Sequence, residues 1–102
     1  MRWEFDDYVL DDQLLELRRA ETQVHLSPLP LRFLIHLARN SSRAVPAQEL
    51  RSVLWREVAV TETSLRQLVR TLRHALGAES AKRIASVRGF GYRFEEAVTR
   101  DE

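Results

Sequence analysis

Two glycines inside the run Ile84-Ala85-Ser86-Val87-Arg88-Gly89-Phe90-Gly91-Tyr92-Arg93-Phe94 constrain this chain more than any other feature. Strand-forming side chains flank them, Val87 before and Tyr92 and Phe94 after, so the run predicts two short strands folded back on each other. Both glycines are expected at the positive φ angles of a tight reversal. Arg88 then stands at the tip. A guanidinium carried on a narrow β-ribbon can enter a groove too tight for a helix, which points to nucleic acid. Taken alone, the run fits a structural hairpin with solvated arginines equally well.

At 102 residues and 44% hydrophobic content, the chain is long enough for one small domain with a single core. The absence of cysteine excludes disulfides, thiolate metal sites and cysteine nucleophiles, and suits a reducing cytoplasm. No apolar run approaches the ~18 residues of a membrane span, and the acidic N-terminus does not read as a signal peptide, so a cytoplasmic domain is expected. His25, His36 and His74 lack ligand spacing, and Asp6-Asp7 and Asp11-Asp12 fall where turns are expected. No phosphate-cradling glycine loop and no nucleophile–base pair can be assembled, so neither an enzyme nor a metal or cofactor site is expected.

The net charge of +1 hides a strong segregation. Residues 1–60 hold 8 Lys/Arg against 9 Asp/Glu, residues 61–94 hold 7 against 2, and residues 95–102 hold 1 against 4. The middle third therefore carries +5, the footprint of a polyanion-binding face on a neutral scaffold.

Alternation in Trp3/Phe5, Tyr8/Leu10, Leu15/Leu17 and Val24/Leu26 predicts a meander of small antiparallel strands with one buried face. Ser27 before Pro28 marks a first helix, its hydroxyl expected to cap and Leu26 to staple onto Leu31, with Phe33, Leu34, Leu37 and Ala38 inward. A second helix is expected from Pro46 to about Trp55. The third, about 61–76, has Leu65, Leu68, Val69, Leu72 and Leu76 on one face and Gly77 at its C-terminal end. Its opposite face carries Thr63, Gln67, Arg70 and His74, flanked by Arg66, Thr71 and Arg73. Glu62 is its lone carboxylate, placed in the first turn and within i, i+4 reach of Arg66. A loop, 78–83, leads to the hairpin at 84–94. Strands, helix, helix, basic-faced helix and hairpin make an α+β winged helix-turn-helix, residues 1–94, followed by an acidic tail or the start of a linker at 95–102.

In this order the chain resembles the OmpR/PhoB-type DNA-binding domain of bacterial transcription regulators, from Trp3 to Phe94. The residues that carry the likeness are Leu17-Arg18-Arg19, Leu26 with Ser27-Pro28, Leu50 to Leu54-Trp55, Leu72-Arg73 to Leu76-Gly77, and Val87 to Phe94. The resemblance implies a signal-transduction protein that binds double-stranded DNA, with the third helix in the major groove and the wing at the minor groove. Arg70 and Arg73 match basic recognition positions, with Arg66, Gln67, Thr71, His74 and Thr63 as further candidates. Thr71 departs from the arginine many members carry there. Arg88 matches the arginine that enters the minor groove, Ser86 a phosphate-contacting position, and Tyr92 and Phe94 the packing beneath, against the third helix. Trp55 is a candidate phosphate donor through its indole N–H, or a half-buried packing residue.

The resemblance further implies that the 56–60 loop, Arg56-Glu57-Val58-Ala59-Val60, can contact RNA polymerase, and that two copies bind tandem half-sites as a homodimer on DNA. Because the first strand begins at Trp3, the chain also resembles the ToxR/CadC-like arrangement with this domain first and a membrane-tethered parent. Two alternatives stand beside this reading: a winged-helix protein-interaction module that does not bind DNA, and a DNA-binding regulatory domain of a larger sensor or ATPase protein.

Overall fold

The computed structural model describes residues 1–55, 62–95 and 98–100, the side chains of 62, 63 and 98–100 excepted. In chain order the elements are β1 (Arg2–Phe5), β2 (Tyr8–Asp11), β3 (Glu16–Arg19), β4 (Thr22–Val24), α1 (Pro28–Arg39) and β5 (Val45–Pro46). There follow α2 (Ala47–Leu54), α3 (Glu62–Ser80), a 3-10 turn (Ala81–Arg83), β6 (Ile84–Val87), β7 (Gly91–Phe94) and β8 (Val98–Arg100).

The N-terminal segments pair as the alternation predicts. Trp3 faces Leu10, Leu10 faces Leu17, and Leu17 faces Val24, which makes one apolar row across four strands. Trp3, Phe5, Tyr8, Leu10 and Leu17 are buried against α1 and α3 residues in a single core. Leu15, expected on the buried face, is instead exposed at φ 54. The Asp11 carboxylate accepts from the amides of Gln13 and Leu14 at 2.8 and 2.9 Å, closing a turn that carries Leu14 and Leu15 to the surface. The 95–102 segment is not wholly a tail: β8 pairs antiparallel with β1 and adds a fifth strand to this sheet.

Ser27 is the N-cap of α1, but its hydroxyl makes no capping bond. An N-cap side chain bonds the N–H of the second or third helical residue; the third here, Pro30, has none, which halves the available donors and leaves only the Leu29 amide, which the hydroxyl does not bond. The second helix begins at Ala47, not Pro46, because Val45–Pro46 is a two-residue strand paired with β7. Proline biases its predecessor toward extended backbone, and Val45 is fully buried there.

Helix α3 buries Leu65, Leu68, Val69, Leu72 and Leu76. Gly77, at φ 89, breaks the helical path, and the chain resumes for another helical turn and the 3-10 turn where a loop is expected. The N-terminal sheet holds this end. The Tyr8 hydroxyl donates to the Leu76 carbonyl at 2.7 Å in the core, and the Asp6 carboxylate accepts from Ser80 Oγ and Arg83 Nη2, each at 2.8 Å. Tyr8→Phe removes that buried bond, so urea unfolding should show a loss of about 0.5–1.5 kcal/mol with the slope unchanged.

A second clasp joins α1 to α2. Glu49 accepts from Arg43 at 2.7 and 3.1 Å and lies 2.7 Å from His36 Nε2. The Arg43 guanidinium first, and His36 second, hold the Glu49 carboxyl down at about 2. Asp12 is lowered by Arg39 and the N-terminal amine, and Asp6 by Arg83 and Ser80. A carboxylate whose folded value is depressed contributes stability above its unfolded value and loses it as pH falls toward the folded one. Stability should therefore fall as pH drops from 4.5 toward 2, and Glu49→Gln should flatten that slope in chemical unfolding at stepped pH.

Candidate nucleic-acid interface

The wing is built around two glycines that do different work. Val87 O accepts from Phe90 N at 2.9 Å, and Gly89 lies at φ 73 while Arg88 keeps a negative φ, which is the pattern of a type II turn. Gly91 does not take the positive φ expected of it. Its requirement is space: a Cβ there would lie 1.9 Å from Val45 O and 2.8 Å from Ala47 N. That closeness seats the wing, because Ala47 N donates to Phe90 O at 2.9 Å and ties the turn to the start of α2.

Tyr92 and Phe94 are packing residues, as expected: Tyr92 lines the same groove as Val69 of α3, Phe94 shares the core with the apolar face of α3, and their rings pair with two further elements. Tyr92 meets Phe33 of α1 edge-on at 5.6 Å, and Phe94 meets Phe5 of β1 edge-on at 5.0 Å. Two T-shaped pairs therefore lock β7 onto both halves of the core.

Between α3 and the wing runs an open groove walled by Arg66, Arg70, Arg73, His74 and Ser86. It continues past Arg66 to the wing turn, where Arg88 and Phe90 line it. Among the described residues, no carboxylate lines either part. The opposite flank of α3 is another surface, where Gln67 and Thr71 adjoin Trp55, Ser64 and the Pro28–Leu29 start of α1. Trp55 is partly buried against the core. The predicted residues thus fall on two flanks of one exposed helical ridge. The side chain of Thr63 and the whole 56–60 loop lie outside the described residues.

The cations of this region sort by what they already hold. Arg83 is bound to Asp6, Arg93 to Glu95, and Lys82 to Glu79. Arg73 donates from Nη2 to Ile84 O at 2.7 Å and to Ser86 Oγ at 3.0 Å. Arg66, Arg70 and Arg88 are exposed and make no hydrogen bond or ion pair among the described residues. Phe90 is absent from the predicted site, yet it stands 49% exposed beside Arg88. Its place between two glycines at a hairpin tip is the signal that could have found it.

A family model described as "Transcriptional regulatory protein, C terminal" matches residues 21–94. The transcriptional regulator HilA of Salmonella typhimurium is 32% identical over 97 residues, which is 92% of this chain but 17% of that relative's length. Among solved structures, the DNA-binding domain of E. coli CadC superposes with a TM-score of 0.81 at 22% identity, over 95% of this chain and 94% of that one. The Klebsiella pneumoniae RstA DNA-binding domain, solved in complex with the RstA box, superposes with a TM-score of 0.76 at 23% identity, over 91% and 95% of the two chains.

Proposed function

Because the chain belongs to the family of transcriptional regulatory protein C-terminal domains, the OmpR/PhoB-type DNA-binding domains, we propose that it binds double-stranded DNA sequence-specifically through α3 and the wing. The observation that carries the reading is the set of three exposed arginines, Arg66, Arg70 and Arg88, that have no partner among the described residues, along a groove that no described carboxylate lines. An exposed guanidinium ridge of helical width fits the major groove, and the Arg88 turn fits the narrower minor groove beside it.

Arg70 is assigned to base edges or phosphate at the centre of the ridge, and Arg66, His74 and Ser86 to the backbone on the wing side. Gln67 and Thr71 face the other flank, and with the Trp55 indole beside them they are assigned to the second strand of the duplex. Thr71 adds no charge and reaches less far than an arginine, so the base it reads differs from that of members carrying arginine. We assign the domain to the bacterial cytoplasm, where genomic DNA lies. One domain offers a small interface, so we assign binding to two copies on tandem half-sites, and the 56–60 loop to RNA polymerase.

Selection of bound sequences from a random duplex pool at low salt tests the reading. Enrichment of a motif with two repeats one helical turn apart is the expected result. A pool that stays random, with no retained duplex, would overturn it and favour a protein partner for the same face.

A further inference from the structure

Arg73 sits on the α3 flank that faces the wing, yet its guanidinium is turned to protein. One nitrogen, Nη2, donates both to the Ile84 backbone carbonyl and to the Ser86 hydroxyl, and the side chain is half-buried where Arg66 and Arg70 are exposed. Its two acceptors lie on β6, and β6 is the outer strand of the wing sheet, whose order is β5-β7-β6. The inner strand β7 is held by β5, by the Ala47–Phe90 bond and by the two aromatic pairs. On the outer side Arg73 supplies a tie from β6 directly to α3, two residues from Arg88.

We propose that Arg73 is a positioning residue: it sets the outer wing strand against α3, so that Arg88 and α3 engage adjacent grooves together. A charge-assisted donor shared between a strand carbonyl and a strand hydroxyl fixes that strand in position along the helix as well as distance from it. The side chain thus adds to DNA binding through Arg88 rather than as a separate phosphate contact. This part rests on the DNA-binding reading above; the hold on β6 does not.

The test has one arm without DNA and one with it. In the free protein, Arg73→Gln should raise amide hydrogen exchange in Ile84–Val87 roughly tenfold while β1–β3 amides keep wild-type rates, because one charge-assisted tie is lost locally. Arg73→Lys, which keeps the charge on a shorter side chain, should behave like the glutamine variant. Should position 73 variants fail to fold, Ser86→Ala removes one acceptor at an exposed position and is read by the same exchange measurement. On duplex, Arg73→Gln should weaken wild-type binding roughly tenfold but change affinity less than about twofold in an Arg88→Ala background. Unchanged exchange in β6, or equal losses in both backgrounds, would overturn the proposal. Failure of the wild-type protein to bind any duplex would instead refute the DNA-binding reading and leave the exchange arm intact.

Discussion

Arg70→Ala and Arg88→Ala should each cost about 1–3 kcal/mol of duplex binding, a loss of roughly 5- to 150-fold, and should do so with different signatures. Both side chains are exposed and make no bond among the described residues, so truncation removes a DNA contact without dismantling anything in the protein. Arg70 lies on the ridge of α3, and its loss should relax base preference at the position it reads. Arg88 lies at the tip of a type II turn, and its loss should erase the preference for the narrow minor groove of A·T-rich flanks. Anisotropy titrations against the selected motif and its single-base variants separate the two. Equal losses on every duplex for both variants would mean that the two arginines act as undirected charge.

The second large effect is on the fold itself. Gly91→Ala should cost about 3 kcal/mol or more, a large part of the roughly 5–15 kcal/mol expected of such a domain. The added methyl would overlap the Val45 carbonyl, and the atoms in its way are backbone, so no side chain can step aside. Relief requires β7 to leave β5, which opens buried Val45 and strains the Ala47–Phe90 bond. Gly89→Ala is the control. Nothing lies within 4 Å of its would-be Cβ, so its cost is the left-handed backbone alone, about 1–2 kcal/mol. Urea unfolding of the pair should rank Gly91→Ala well below Gly89→Ala, and equal midpoints would contradict this account of the wing.

The contrast between these glycines shows where sequence reasoning reaches and where it stops. The two-residue period of Trp3/Phe5 and Tyr8/Leu10 and the helical period of Leu65 to Leu76 report burial directly, and both faces are buried as read. Gly89 is legible because turns are local. Gly91 is misread as a turn residue because its constraint comes from β5, some 45 positions earlier and too short to register as a strand. At the Ser27 cap, the loss of one donor to Pro30 is legible in the sequence, while the failure to bond the Leu29 amide is not. Leu15 leaves the buried face because the Asp11 turn breaks the alternation one residue before β3. In the candidate site, the basic face of α3 follows from spacing, Arg66 and Arg70 are exposed as that spacing requires, and Arg88 is exposed at the tip that the glycine-flanked run predicts. The division between those arginines and Arg73 is invisible in sequence, since it depends on which side chain meets the outer edge of β6. Likewise, residues 98–100 read as a charged tail until their pairing with β1 is seen.

Arg66, Arg70 and Arg88, without partners among the described residues, should meet DNA phosphate and base together, and salt dependence tests this most directly. Affinity for the selected duplex, measured from low to moderate salt, should fall with a log–log slope of roughly −4 to −5 for the wild-type protein. In the variant with alanine at Arg66, Arg70 and Arg88 the slope should shrink by about two to three units, with circular dichroism and unfolding midpoint unchanged. A folded triple variant that keeps the wild-type slope would contradict the claim, since the cations meeting DNA would then lie on another face.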